Sequence, residues 1–131
     1  TAALSLPQAH VWYDHLLAEG GYGRVERERA AFLILECDGA LTLEPWREGG
    51  FRHATYRGKV PAGAIAILHT HPARVPEPSA HDRAEARRLG IPVVVITPSG
   101  VIAAQPSGER TPVRASGTSR APSARRTFPP R

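Results

Sequence analysis

Several residue types are missing or rare in this chain. Methionine is absent, lysine occurs only at position 59, and Cys37 is the single cysteine of the 131 residues. One cysteine cannot form an internal disulfide, so the fold must rest on packing or on a bound metal, which is consistent with a reducing compartment. No partner motif accompanies Cys37, so we interpret it as a small buried apolar residue and not as a nucleophile. Aromatic residues are few, and we expect Trp12 and Trp46 to lie in the core or in a groove wall.

Long hydrophobic runs are also missing. No apolar stretch approaches the roughly 20 residues that span a bilayer, and the N-terminus lacks the basic and then apolar segments of a signal peptide. We therefore expect a soluble, cytoplasmic protein. Because the chain starts at Thr1 and contains no methionine, we also expect that an initiator or upstream segment has been lost. The length suits one domain with a hydrophobic core and is too short to suggest two.

Acidic residues are missing after Glu109, and this makes the charge of the chain uneven. Six arginines follow that position, at 110, 114, 120, 125, 126 and 131, and they account for the net charge of +5. Without them the 17 basic residues fall to 11, against 12 acidic residues, so the body of the protein is nearly neutral. A nearly neutral body argues against a nucleic-acid-binding domain.

The C-terminal segment differs from the body in composition. From about Pro106 it is rich in serine, proline, arginine and threonine and poor in large apolar residues, so we expect a disordered tail over residues 106–131. Such a tail can bind RNA, DNA or an acidic partner, or it can be a solvated terminus without a function, and we assign it none. Nucleic-acid binding through the tail would give salt-sensitive retention that a cut near Gly108 removes.

Apolar periodicity and turn residues predict an α/β domain over residues 1–105. The first helix is expected over residues 5–19, with Ser5 as its cap, and the second over residues 79–89, with Gly90 as its end. These elements predict a mixed or mostly antiparallel sheet flanked by helices. Strands are expected at residues 30–37, 40–44, 52–57, 64–68, 92–96 and 101–104.

Two histidines follow the strand predicted at residues 64–68. His69 and His71 are two residues apart, and the period of two in a strand places both imidazoles on the same face of the sheet, where they can share one ion. A catalytic zinc ion commonly has three protein ligands and leaves the fourth position to water. Asp82 can supply the third ligand, because it shares a helix face with Ser79 in the first turn after a proline-rich loop. The sequence therefore predicts one zinc ion per chain.

The segments His69-Thr70-His71-Pro72 and Ser79-Ala80-His81-Asp82 together resemble the signature of the JAMM (MPN+) zinc metalloprotease family, in which seven residues separate H-x-H from S-x-x-D. The spacing matches in full, and the resemblance covers about residues 5–105. The chain has sixteen arginines and one lysine, and this bias favours the prokaryotic JAB-like branch. The resemblance implies a cytidine-deaminase-like, MPN-type domain of three layers.

The resemblance also implies a mechanism. The family's zinc ligands correspond to His69, His71 and Asp82. Glu28, just before a short apolar run, corresponds to the glutamate that accepts a proton from the water activated by zinc, and Ser79 corresponds to the serine that hydrogen-bonds the developing oxyanion. The implied reaction is hydrolysis of an isopeptide or peptide bond, at the C-terminus of a ubiquitin-like or sulfur-carrier protein.

Alternatives stay open for the base and for the function. Glu26 lies two residues from Glu28 and faces the same side of an extended segment, whereas Glu36 lies at the far end of the strand and is the weaker candidate. Glu28 is also compatible with a charge-paired surface position, and Ser79 and Asp82 are suited to capping a helix. The alternative function is a non-catalytic MPN-fold module that binds a partner protein.

Overall fold

The computed structural model describes residues 2–19, 29–46, 58–71 and 77–114. Within these ranges lie a 3-10 turn (Ala2–Ser5) and two α-helices, α1 (Pro7–Glu19) and α2 (Ala80–Leu89). The strands there are β1 (Ala30–Leu35), β2 (Leu41–Pro45), β3 (Ala64–Thr70), β4 (Val93–Thr97), β5 (Gly100–Ala104) and β6 (Arg110–Arg114). None of the helices in the described ranges is both long and apolar enough to cross a membrane.

The strands form one mixed sheet in the order β2-β1-β3-β4-β5-β6. Strands β3 and β4 are parallel, and the four other neighbouring pairs are antiparallel. Parallel neighbours cannot be joined by a tight turn and need a crossover, which α2 provides here. The predicted α/β domain with a mixed, mostly antiparallel sheet is therefore confirmed.

The two helices lie on opposite faces of the sheet, so the domain has three layers. On β1, Ala31 and Leu33 pack in the same apolar cluster as α1, whereas Phe32 and Ile34 pack in the cluster that contains Ala86 of α2. Successive strand residues point to opposite faces, and both sets are buried because each face is covered by a helix. The near-continuous apolar run of β1 follows from this arrangement.

Side chains of α1 hold the first residue of β2, which is at one end of the described sheet. The Trp12 indole N–H donates to the Leu41 carbonyl oxygen at 2.8 Å, and the Leu41 N–H donates to the Gln8 side-chain oxygen at 3.2 Å. Backbone groups at a sheet edge need partners if they are not exposed to water. Helix α1 thus supplies both partners for Leu41, which is itself fully buried.

The second helix begins and ends where the sequence predicts. Ser79 is its N-cap, and Gly90 is its C-cap in the left-handed conformation, with φ of 76°. The first helix differs in detail, because it begins at Pro7 and Ser5 lies in the preceding 3-10 turn. The first backbone acceptor of α1 is the carbonyl of Leu6, so Ser5 does not occupy the predicted cap position.

The prediction of disorder from residue 106 is wrong for residues 106–114. Gly108, with φ of 98°, allows a turn that leads into β6, and β6 pairs with β5. Composition did not predict this strand, because backbone hydrogen bonds to β5 hold it and only Val113 packs on the core. An edge strand of this kind also tolerates a proline, here Pro112. The domain therefore extends at least to Arg114. The strand predicted at residues 52–57 and the rest of the predicted tail lie outside the described residues. The prediction that Cys37 is buried is wrong, because this residue lies after the end of β1 and is exposed.

Two leucines of β1 provide a matched test of the layer arrangement. Leu33 is fully buried, whereas Leu35 is 41% exposed. We expect Leu33→Ala to lower the free energy of unfolding by about 2–5 kcal/mol, through lost burial and a cavity, and Leu35→Ala to change it by less than about 1 kcal/mol. Urea denaturation measures both values, and equal losses would contradict the packing described here.

Candidate metal centre

Two histidines stand at the end of β3, on the face that α2 covers. Residue 69 pairs with Ala30 across the β1–β3 ladder, and His69 is almost completely buried. The backbone N–H of His71 donates to the Ile96 carbonyl oxygen at 3.1 Å, which fixes the residue directly after the strand. Between them, Thr70 exchanges two hydrogen bonds with Arg29, from its N–H to the Arg29 carbonyl at 2.9 Å and from the Arg29 N–H to its hydroxyl at 2.8 Å.

A capping box at the start of α2 orients the third residue. The Asp82 N–H donates to the Ser79 hydroxyl oxygen at 3.1 Å, and the Ser79 N–H donates to Oδ2 of Asp82 at 2.8 Å. The Ser79 hydroxyl also donates to Oδ2 at 3.0 Å. Reciprocal bonds of this kind satisfy donors that the first helical turn leaves without partners. They also fix the direction in which the Asp82 carboxylate points.

The Asp82 carboxylate meets both histidines, one with each oxygen. Oδ1 lies 3.2 Å from Nδ1 of His69, and Oδ2 lies 3.2 Å from Nε2 of His71. One possible ligand atom from each of the three residues lies within 4.8 Å of the other two. The structure therefore brings together the three residues that the sequence predicts as metal ligands, with Ser79 beside them.

These distances are compatible with a shared cation as well as with direct histidine–aspartate hydrogen bonds. A charge-assisted N–H···O bond is typically about 2.7–2.9 Å long. Two ligand atoms of a tetrahedral zinc ion, with bonds of about 2.0–2.2 Å, are separated by about 3.3 Å. Two imidazoles and one carboxylate form a donor set that binds zinc and similar divalent ions, so this group can hold a metal.

The electrostatic environment of Asp82 favours its charged form. Burial works to raise the pKa of the Asp82 carboxyl, but hydrogen bonds from His69 and His71, the charge of His69 and the Ser79 N–H outweigh burial and hold that pKa well below its usual range. The carboxyl is therefore ionised at neutral pH, which is the state that a metal ligand requires.

An ion pair connects the segment before Ser79 to the last strand. Glu77 accepts from Arg110 of β6, with 2.9 Å between Nε and Oε1, and a second contact joins the other carboxylate oxygen to Nη2. The hydrogen bond from Arg110 lowers the pKa of the Glu77 carboxyl, although both side chains are exposed. This two-point contact links the loop that carries Ser79 to β6.

The candidates for the general base are only partly described. Glu28 and Glu26 lie outside the described residues, so both stay predictions. Glu36 lies beyond the opposite end of β1, where its carboxylate accepts from the Thr42 hydroxyl at 2.6 Å, and it is exposed. Position alone therefore removes Glu36 from the site.

Two further histidines lie on α1, away from the candidate metal centre. His15 is exposed and lies 3.3 Å from Glu19, one helical turn away on α1. His10 is half-buried on the same helix, where burial and Arg114 lower its pKa. Neither belongs to the group of possible ligands, and His53 lies outside the described residues.

Trp46 contacts one of the candidate metal ligands, which the sequence does not predict. The indole of Trp46 packs edge to face on the His69 imidazole, with ring centroids 5.4 Å apart and planes at 90°. A tryptophan after an edge strand carries no local signal of such a contact. Only the pairing of three strands brings the two rings together.

Comparison with known proteins bears on this site. A sequence profile of the prokaryotic homologs of the JAB domain matches residues 17–114. The chain belongs to this family. The match to the JAB-domain family includes the histidine pair and Asp82, and it reaches through β6, in agreement with the longer domain. No curated protein and no solved structure matches the chain.

The capping role of Ser79 can be tested separately from any role in a reaction. We expect Ser79→Ala to lower the free energy of unfolding by about 1 kcal/mol, because the alanine side chain leaves the Asp82 N–H without its acceptor. Ser79→Asn should retain most of the stability, since asparagine is a good N-cap. Urea denaturation measures both variants, and a Ser79→Ala protein as stable as the parent would contradict the capping box.

Proposed function

We propose that this JAB-domain protein is a zinc-dependent hydrolase that cleaves an isopeptide or peptide bond. The observation that carries the proposal is the meeting of His69, His71 and Asp82 at one largely buried point, beside the hydroxyl of Ser79. Bound there, zinc would supply Lewis-acid activation of water at neutral pH. We place the reaction in the cytoplasm, at the C-terminus of a ubiquitin-like or sulfur-carrier protein.

Glu28 is the proposed general base. A carboxylate near the activated water can accept its proton and then pass the proton to the leaving amine, so amide hydrolysis needs no covalent nucleophile. Support comes from Arg29, the next residue along the chain. The backbone of Arg29 is hydrogen-bonded to Thr70, which lies between the two histidines, so residue 28 is attached directly to a segment beside the site. Glu26 is the alternative base, and it is three residues from Arg29 along the chain.

Ser79 is the proposed donor to the oxyanion. Its hydroxyl lies beside Asp82 and donates to Oδ2, and rotation about one bond would redirect that hydrogen toward a substrate oxygen. A donor fixed at this place stabilises negative charge that develops during the reaction. The N-cap position keeps the serine in place, because its oxygen also accepts from the Asp82 N–H.

A protein-binding module without catalysis is the second candidate function. The two 3.2 Å contacts also lie within the range of direct histidine–aspartate ion pairs, which would make the three side chains a structural cluster. Metal content and cleavage distinguish the two functions. Zinc bound at this group favours the hydrolase, and a protein that holds none after incubation with zinc favours the module.

Zinc binding is the first test. We expect the purified protein to hold one zinc ion per chain, and His71→Ala or Asp82→Ala to weaken binding by more than the roughly 10–100-fold that loss of an outer partner of a metal ligand causes. His81→Ala is the matched control, since residue 81 is next to Asp82 but outside the possible ligand group. Competition with a chromophoric chelator measures the affinities. Equal affinity in all variants would show that zinc binds elsewhere.

The second test concerns the base. Glu28→Gln should retain zinc and lower kcat by about 10²–10⁴-fold, because glutamine cannot accept the proton. Glu26→Gln is the control two residues away and should cleave normally. Fusions of ubiquitin-like and sulfur-carrier proteins, taken from genes next to this one, serve as substrates. The reverse result would move the role to Glu26, and a zinc-loaded protein that cleaves none of the fusions would contradict the hydrolase.

A further inference from the structure

Trp46 lies against His69 because of the way three strands pair. The Trp46 N–H donates to the Ala30 carbonyl oxygen at 2.9 Å, and Ala30 is the cross-strand partner of His69. Residues 46, 30 and 69 therefore form one row across the end of β2, β1 and β3. Phe32, two residues along β1, also packs against the indole, with ring centroids 5.9 Å apart.

The middle residue of the row allows the outer two to touch. Strands two places apart in a sheet are separated by about 9.5 Å, which is too far for most side chains to meet over an intervening residue. The methyl group of Ala30 is small enough for the large indole to extend over it. The two rings consequently meet with a centroid distance of 5.4 Å. A larger residue at position 30 would fill that space.

The imidazole of His69 needs such a contact more than most metal-binding histidines. A histidine ligand is usually held in orientation by a hydrogen bond from its second ring nitrogen to a carboxylate or a carbonyl oxygen. In His69, Nδ1 faces Asp82, and Nε2 is buried without a hydrogen-bond partner among the described residues. Packing must then restrain rotation of the ring, and an edge-to-face aromatic contact has a preferred geometry that can do so.

We infer that Trp46 is a positioning residue for the metal centre: its indole, extending over Ala30, holds the His69 imidazole with Nδ1 directed at Asp82. The inference rests on the proposed function, because it assigns His69 to a metal. It adds to that function a residue that acts through its contact with His69. It also gives a specific role to the small side chain at position 30.

Zinc affinity measured by chelator competition tests the inference without any substrate. Trp46→Ala should weaken zinc binding by about 10–100-fold, as loss of an outer partner of a metal ligand does elsewhere. Trp46→Phe should recover most of the affinity, because a second aromatic ring can make the same type of contact. Trp12→Ala is the matched control: it removes the same side chain from the α1 face of the sheet, and zinc affinity should not change.

Fluorescence gives a second readout that a general loss of stability would not produce. The chain contains two tryptophans, so Trp46 is the only one left in Trp12→Phe. Zinc added to that variant should change the emission of Trp46, because the divalent ion would polarise the imidazole ring that the indole contacts. Zinc added to Trp46→Phe, in which only Trp12 emits, should leave the emission unchanged.

The outcomes separate the inference from the proposed function. A parent protein that binds no zinc overturns both. A parent that binds zinc, together with a Trp46→Ala protein of equal affinity, overturns only the positioning role. If Trp46→Ala does not fold, Ala30→Val takes its place, since the added methyl groups fill the space over which the indole extends. Zinc affinity should then fall although both rings remain, and parental affinity in Ala30→Val would overturn the inference.

Discussion

The carboxylate of Asp82 is the group on which the candidate site depends. It accepts two hydrogen bonds from Ser79 and faces an imidazole nitrogen with each oxygen, so one side chain joins the start of α2 to the end of β3. The same contacts that complete the helix cap aim the carboxylate at the histidines. The start of α2 and the candidate metal centre therefore share one carboxylate.

The sheet explains why these groups meet. A parallel β3–β4 pair requires a crossover, and the crossover helix must start near the end of β3, where the histidines are. Alternation along β3 then places His69 on the face that α2 covers, together with Ile67 of the α2-side cluster. The order of the layers and the direction of the strands thus bring the histidines close to the start of α2.

Local signals predicted much of this arrangement and could not predict the rest. Ser79 and Gly90 mark the ends of α2 in the sequence, and the spacing of His69 and His71 predicts their common face, because each of these effects acts within a few residues. Strand β6 and the contact between Trp46 and His69 depend on pairing between distant segments, which composition and periodicity do not encode. The prediction that Ser5 caps the first helix is wrong, because Ser5 lies in a 3-10 turn and α1 begins at Pro7. Glu28 stays a prediction.

The ion pair between Glu77 and Arg110 joins β6 to the segment that precedes α2. A protease that cuts the chain just before β6 would remove Arg110 and with it this contact to Glu77. The contact is exposed to solvent, so its loss alone would change stability little, but removal of β6 would also leave backbone groups of β5 without their ladder partners. The basic end of this protein therefore cannot be trimmed back to residue 105 as a dispensable appendage, because residues 110–114 form a strand of the sheet.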